Sequence, residues 1–287
     1  MNPKISIIVP NYNHQNFLKE RLDSIFNQTF QDFEVLIFDD ASTDNSLEIL
    51  NIYKNHPKVS HFTINKKNSG SPFKQWKKGM ELAKSDYIWI AETDDFAETN
   101  FLSTQLEAIS NHFVAVAKTI IVENENVTKQ EVIHPVFGNN SISTILEDNQ
   151  FFSSPIKNVS CIIFKKPSIE QLQKMTFEQF PFMGDQVFYY EYFKNKSIAF
   201  NPNSISYFRK VDSSVSSMNK AKGLNYYANY FDQHLKFLAI INSEMDKKEQ
   251  KKYVKKHFNK IKNRTSYAQK ISFKYFVILA KYYSKTI

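Results

Sequence analysis

This chain is poor in glycine and nearly without cysteine. Only five glycines occur in 287 residues, and no G-x-G-x-x-G or Walker pattern is among them, so the usual glycine-rich cradles for dinucleotides and nucleoside triphosphates are excluded. Any bound phosphate must then be held by side chains and a metal. Cys161 is the single cysteine. It forbids a disulfide within one chain, and its place in the apolar run 159–164 marks a buried structural thiol rather than a nucleophile. Seven histidines, at 14, 56, 61, 112, 134, 234 and 257, form no close pair with metal-ligand spacing, which argues against zinc. The longest late apolar run, 275–280, falls far short of the roughly 20 residues that span a bilayer. With no apolar leader at residues 1–4, a reducing, cytoplasmic setting fits best.

The net charge of +8 is unevenly spread. Residues 246–287 hold thirteen Lys or Arg against two acids, a balance of +11, which leaves residues 1–245 at −3. A uniformly basic nucleic-acid binder is disfavoured, and no nucleic-acid partner is expected.

Apolar patterning alternates between strand and helix. Residues 5–9 form a β-branched run that stops at Pro10-Asn11-Tyr12-Asn13. Phe17, Leu18, Leu22, Ile25 and Phe26 follow at helical spacing, with Lys19, Glu20, Arg21 and Asp23 between them. Strand-like runs at 33–38, 59–64 and 87–90 alternate with helical patterns around Leu47 to Tyr53 and around Trp76 to Ala83. This βαβαβαβ succession predicts an α/β fold, a mainly parallel sheet with helices on both faces. Strand-like 114–122 and 159–164 come later, separated by a polar stretch.

Two acidic pairs stand just past such runs. Asp39-Asp40 follows residues 35–38, and Asp94-Asp95 follows residues 87–90 with Ala91-Glu92-Thr93 between. The carboxyl ends of strands are where open α/β sheets bind ligands. Clustered carboxylates repel one another unless a cation lies between them, which points to a divalent metal carrying a phosphorylated ligand.

Taken in order, residues 6–13 (SIIVPNYN), 39–44 (DDASTD), 68–70 (NSG) and 92–95 (ETDD) resemble the successive motifs of family 2 glycosyltransferases. Met183-Gly184-Asp185-Gln186 resembles the segment carrying that family's catalytic base, and residues 207–217 resemble the loop that closes over the donor diphosphate. The resemblance implies the GT-A fold, Rossmann-like, with a catalytic domain over 1–218. Its nucleotide-sugar half would be 1–110 and its acceptor half 111–218, followed by a basic helical region over 219–287. It further implies a metal-dependent inverting transfer, of hexosyl or N-acetylhexosaminyl type, from a nucleotide diphosphate sugar, with a UDP-sugar favoured. The acceptor would be a glycan or lipid-linked hydroxyl in bacterial surface polysaccharide synthesis.

Roles follow residue by residue. Pro10 and Tyr12 would line the base pocket, Asp40 would accept from a base N3–H and Asp39 would support the pocket. Asp94 would contact the ribose or the metal, and Asp95 would coordinate Mg²⁺ or Mn²⁺. Asp185 would be the catalytic base, with Gly184 giving the close backbone approach that its loop requires. Arg209 and Lys210 would pair with the diphosphate. Glu92 stands where relatives often have Asp, and Lys210-Val211-Asp212 stands where many have a His. Alternatives from the residues alone stay open: Tyr12 could pack a strand end, and Asp39, Asp44 and Asp185 could each cap a helix.

Residues 247–264 are densely basic, with Tyr253, Val254, Phe258 and Ile261 at helical spacing, and residues 271–283 mix aromatics and aliphatics with Lys274 and Lys281. A cationic helix with an aromatic face can lie on an anionic membrane, here the inner face of the cytoplasmic membrane, or can pack on the catalytic domain with its charges in water. A different class, a non-catalytic nucleotide-sugar-binding or membrane-associated scaffold, stays as the alternative. A haloacid-type phosphatase fails because Asp39-Asp40-Ala41 does not supply Asp-x-Asp after the first strand.

Overall fold

The computed structural model describes residues 2–123, 125–137, 142–210, 223–241 and 245–286. The chain divides into two compact units, Met1–Val211 and Asp212–Ile287. The boundary expected at 218/219 falls outside the described residues.

The first unit opens with β1 (Ile5–Asn11), α1 (Gln15–Phe26), β2 (Phe33–Asp39), α2 (Ser46–Tyr53), β3 (Val59–Ile64), α3 (Pro72–Leu82) and β4 (Tyr87–Ile90). β1 pairs in parallel with both β2 and β4, and β2 pairs in parallel with β3. Every residue of β1 and β2 is buried, as the continuous apolar runs demand of parallel strands covered on both faces. Right-handed crossovers from β1 outward through β2 to β3 place α1 and α2 on one face, and the return to β4 places α3 on the other. α3 starts where Ser71 Oγ accepts from Phe73 N at 3.3 Å and Pro72 fits the first turn. It lies so close to β1 that a Cβ at Gly79 would stand 2.6 Å from the Ile8 side chain. Strand order reverses between β1 and β4, and that crevice is where such sheets hold ligands.

Beyond β4 the sheet is mixed. β5 (Phe96–Ala97), α4 (Phe101–Ile109), β6 (Val114–Glu123), β7 (Asn126–Glu131), β8 (Ser143–Ile145), β9 (Ile162–Lys165), α5 (Ile169–Lys174), α6 (Gly184–Phe188) and β10 (Ser197–Arg209) follow. β9 runs antiparallel between β4 and β6, and β10 is parallel to β6. The order is β3-β2-β1-β4-β9-β6-β10-β5, with β7 on β6 and β8 on β10. The segment expected to form a closing loop begins as strand. Tyr207 pairs with Phe96 in an antiparallel register and their rings stack at 4.4 Å, which keeps β10 extended through Arg209. Residues 211–217 of that segment lie outside the described residues.

The second unit holds α7 (Leu224–Ile241), α8 (Lys247–Lys262), α9 (Tyr267–Lys270) and α10 (Phe273–Thr286). The apolar face of α8 is taken up within this unit. Tyr253, Val254, Phe258 and Ile261 of α8 are buried rather than available to a membrane. Phe258 stacks on Tyr282 of α10 at 4.2 Å and meets Phe231 of α7 at 6.1 Å. Tyr253 Oη and His234 Nδ1 of α7 lie 2.7 Å apart, and Tyr230 Oη is 2.8 Å from His257 Nδ1. The helices need that face to close their own core. Among the described residues no helix is long and apolar enough to cross a membrane.

Candidate active site

The site is built where β1, β2 and β4 end. Asp39, the last residue of β2, is fully buried. It accepts from Asn11 Nδ2 at 2.8 Å, Ser42 N at 2.9 Å and Ser42 Oγ at 2.6 Å, so it ties the β1 end to the β2 turn. Ala41 completes that turn at a φ of 61°, a left-handed conformation that side chains resist. Asp40 is also buried and accepts from Asn65 Nδ2 at 2.7 Å and Ser69 Oγ at 2.8 Å, with Ser69 N at 3.0 Å from both its oxygens. Three donors, one of them shared between both oxygens, thus hold the carboxylate. In this arrangement Asp40 shapes the crevice by fixing Asn65 and Ser69.

Pro10 is buried, and its carbonyl accepts from Thr93 Oγ1 at 3.3 Å; Tyr12 is 43% exposed beyond the end of β1. Asp44 accepts from Gln15 N and from Ser46 N, each at 3.0 Å, so its side chain holds the starts of α1 and α2.

The turn after β4 concentrates charge. Asp95 is buried, with Oδ2 accepting from Asn158 Nδ2 at 2.9 Å and Oδ1 from Arg209 N at 3.1 Å. Glu92 accepts from Trp76 Nε1 at 2.7 Å, and its own N–H donates to Ser160 Oγ at 3.1 Å. Burial pushes Glu92 up to about 8, with Asp94 and Asp95 adding to the rise, and it pushes Asp95 up to about 6, with Asp94 adding. Asp94, half-buried, is raised by burial as well.

Arg21 of α1 provides the opposing charge. It is fully buried, its guanidinium lies 4.7 Å from the Trp89 ring centroid, and it acts electrostatically on Asp95, Asp94 and Glu92. Burial lowers its pKa only to about 10, so it stays cationic at neutral pH. None of its nitrogens has a hydrogen-bond partner among the described residues.

No cage of three or more acidic, His or Cys side chains stands ready for a metal among the described residues. A magnesium-like ion needs only one or two carboxylates plus the phosphates of its ligand. Asp95 also feels a hydrogen bond from the Ser160 side chain, yet burial and Asp94 still hold it up, and the repulsion that raises Glu92 and Asp95 is what a dication would relieve. The donor set therefore fits such an ion.

Asp185 lies in the first turn of α6. Gly184 before it is wedged so tightly that a Cβ would come within 2.4 Å of the Phe73 ring of α3 and 2.6 Å of the Phe177 carbonyl. Glycine is what this approach permits. Val187, Phe188, Tyr189, Tyr192 and Phe193 are buried, as their spacing predicts, although the chain from Tyr189 to Phe193 widens into a π-helical turn. Phe188 packs against Phe164, Phe177 and Phe193 with centroids 5.1 to 5.4 Å apart. Burial raises the Asp185 carboxyl, with Lys157 opposing the rise. Burial raises the Tyr189 hydroxyl well above its ordinary value, with Asp185, Cys161 and Glu92 adding to the rise.

Arg209, at the end of β10, is buried between Phe17 and Phe96, at 4.8 and 5.3 Å from their centroids. Its Nε donates to the Asp94 carbonyl at 3.0 Å and a terminal nitrogen pairs with Glu20. It clamps the carboxylate turn from behind. Lys210 is about half exposed and paired with Glu123 at 2.5 Å.

Sequence reasoning did not single out Arg21, Asn158, Asn65 or Trp76. Arg21 had a legible signal: with Leu18, Leu22 and Ile25 it occupies i, i+3, i+4 and i+7 on the buried stripe of α1, where a charge needs a reason. Asn158 had none, because it reaches Asp95 across 63 residues.

Residues 6–173 match the model of glycosyl transferase family 2. The chain is 27% identical over 261 residues to the poly(ribitol-phosphate) β-N-acetylglucosaminyltransferase TarP of Staphylococcus aureus strain N315, covering 87% of this chain and 76% of that one. It is 29% identical over 247 residues to an uncharacterised glycosyltransferase of Haemophilus influenzae, covering 84% of this chain and 92% of that one. Among solved structures, S. aureus TarS residues 1–349 with UDP-GlcNAc superimposes with a TM-score of 0.67 at 19% identity, covering 99% of this chain and 82% of that one. The architecture is the GT-A fold, and with more than half its length matched, the chain belongs to glycosyl transferase family 2.

Proposed function

We propose that this glycosyltransferase moves a sugar, with inversion, from a UDP-sugar to a hydroxyl of a cell-surface polymer or its lipid-linked precursor. The observation that carries the reading is the placement of two acidic pairs at the switch point of the sheet, with Asp185 and Glu92 both acting on the buried Tyr189 hydroxyl. The UDP and UDP-GlcNAc bound in TarS, and the poly(ribitol-phosphate) in the name of TarP, support a UDP donor and a polyol-phosphate or glycan acceptor.

Pro10 and Tyr12 line the base pocket, which Asp39 and Asp40 hold in shape. Asp94 would contact the ribose or the metal, and Asp95 would hold Mg²⁺ or Mn²⁺, which would supply neutralising charge to the diphosphate. Asp185 takes the proton of the acceptor hydroxyl as its oxygen forms a bond to the anomeric carbon and the bond to the diphosphate oxygen breaks. A carboxylate raised by burial is the stronger base for that step. Arg209 keeps the Asp94-Asp95 turn in place, and Lys210 is the cation that can swing from Glu123 to the phosphates. The reading places the reaction in the cytoplasm, where nucleotide sugars are made.

Asp185→Asn separates chemistry from binding. Transfer from UDP-sugar should fall by roughly 10²- to 10⁴-fold, while calorimetric UDP affinity stays within about twofold. Equal losses of both would remove Asp185 from the role of base.

A further inference from the structure

α10 carries two apolar faces. The first, formed by Tyr275, Ile278 and Tyr282, is turned into the second unit, with Tyr275 and Ile278 buried and Tyr282 stacked on Phe258. At about 100° per residue, the opposite side of the helix carries Phe273, Phe276, Val277 and Ala280, which recur at i, i+3, i+4 and i+7 and are all exposed. Phe273 is 85% exposed, and the stripe continues into Tyr267 at 83% and Ile271 at 63%. A helix that packs on a core needs one apolar face. A second, contiguous and aromatic, marks a contact surface.

Charge identifies the partner. Lys274, Lys281 and Lys285 recur along one flank of α10 at i, i+7 and i+11. The only acids after residue 245 are Asp246 and Glu249, which cap the start of α8 by bonding one another's backbone N–H groups. Between α7 and α10 lies a cavity of about 580 Å³ whose lining includes Asp232, Lys236, Lys281, Ser284 and Lys285. Asp232 is paired there with Lys281 at 2.6 Å. Ser284 stands seven residues after Val277, so the cationic cavity and the apolar stripe meet on one side of the helix. A second copy of the chain would bring two such basic segments together, whereas an anionic surface complements both features.

We infer that α9 and α10 form a docking edge for an anionic lipid surface. Phe273, Phe276, Val277 and Ala280 enter the acyl boundary, and the lysine flank and cavity meet the headgroup phosphates. Of the two segments the sequence singles out, the surface lies on α10 and not on α8, and it invokes no residue of the donor site.

The test is flotation of the full chain with vesicles of phosphatidylcholine containing phosphatidylglycerol, against phosphatidylcholine alone. The protein should float with the anionic vesicles only, and high salt should release it. The Phe273→Ser/Phe276→Ser double variant should bind roughly a hundredfold more weakly, with UDP binding and thermal unfolding unchanged. Lys285→Glu should weaken binding at low salt and leave the residual apolar attachment. Absence of binding to anionic vesicles, equal binding to neutral ones, or an oligomer in sedimentation that the double Ser variant dissolves would each overturn the inference.

Discussion

The two acidic pairs read alike in the sequence and are built in opposite ways. Asp39 and Asp40 are each held by three donors, from Asn11 and Ser42 and from Asn65 and Ser69, and they shape the crevice. Asp94, Asp95 and Glu92 are crowded by one another and raised by burial, with the buried guanidinium of Arg21 set against all three and that of Arg209 against Asp94. That cluster is left with negative charge to share, which is the condition for holding a cation beside a diphosphate. A pair of aspartates at a strand end thus becomes scaffold or reactive site according to how many further carboxylates the fold crowds against it.

Arg21→Met breaks the contrast most severely. It leaves the β4 carboxylates without their buried cation, and chemical denaturation at pH 8 should show a loss of about 3–5 kcal/mol. At pH 5, where Glu92 and Asp95 are protonated, the loss should shrink. A loss independent of pH would mean that Arg21 contributes packing on Trp89 rather than charge.

The unsubstituted protein should itself respond to pH through the same cluster. Glu92 and Asp95 carry folded-state values of about 8 and about 6, above their ordinary values near 4. The folded state therefore binds more protons than the unfolded state across that window, and stability is greatest below about pH 4 to 5 as far as these two groups decide it. Without metal, the unfolding free energy should fall as pH rises from about 5 to 8, by on the order of a few kcal/mol. Mn²⁺ with UDP should flatten that fall, and a flat profile without them would contradict the picture of unrelieved repulsion.

At the other pair the effects are structural. Asp39→Ala strands the Asn11 amide and the Ser42 donors, and should cost about 1–3 kcal/mol in urea titrations at any pH from 6 to 8. A pH-dependent cost would make Asp39 part of the charged cluster after all. Smallest is Ala41→Gly, which relieves a φ of 61° and should stabilise the turn by up to about 1 kcal/mol. If it destabilises, the turn is set by contacts of the methyl group.

Much of this was legible in the chain because it is local. The β1 to β4 strands and the strand-end acids are written as short apolar runs followed by carboxylates, and the buried face from Val187 to Phe193 in helical spacing, and the structure has those elements. What escaped is what depends on distant partners. Whether Asp40 is free or held depends on Asn65 and Ser69, and whether Arg209 faces ligand or protein depends on Glu20 and Phe17. The apolar face of α8 was visible, but periodicity cannot say whether such a face meets lipid or α7 and α10. Arg21 was visible too, as a charge on a buried stripe, and was passed over as part of the polar face.

Calorimetric titration of UDP into the protein, with and without Mn²⁺, beside an Asp95→Ala variant, tests the central claim most directly. Binding that requires both the metal and Asp95, while Asp185→Asn binds as the parent does, is the predicted result. UDP affinity unchanged by chelator and by Asp95→Ala, or no UDP binding under any condition, would contradict it.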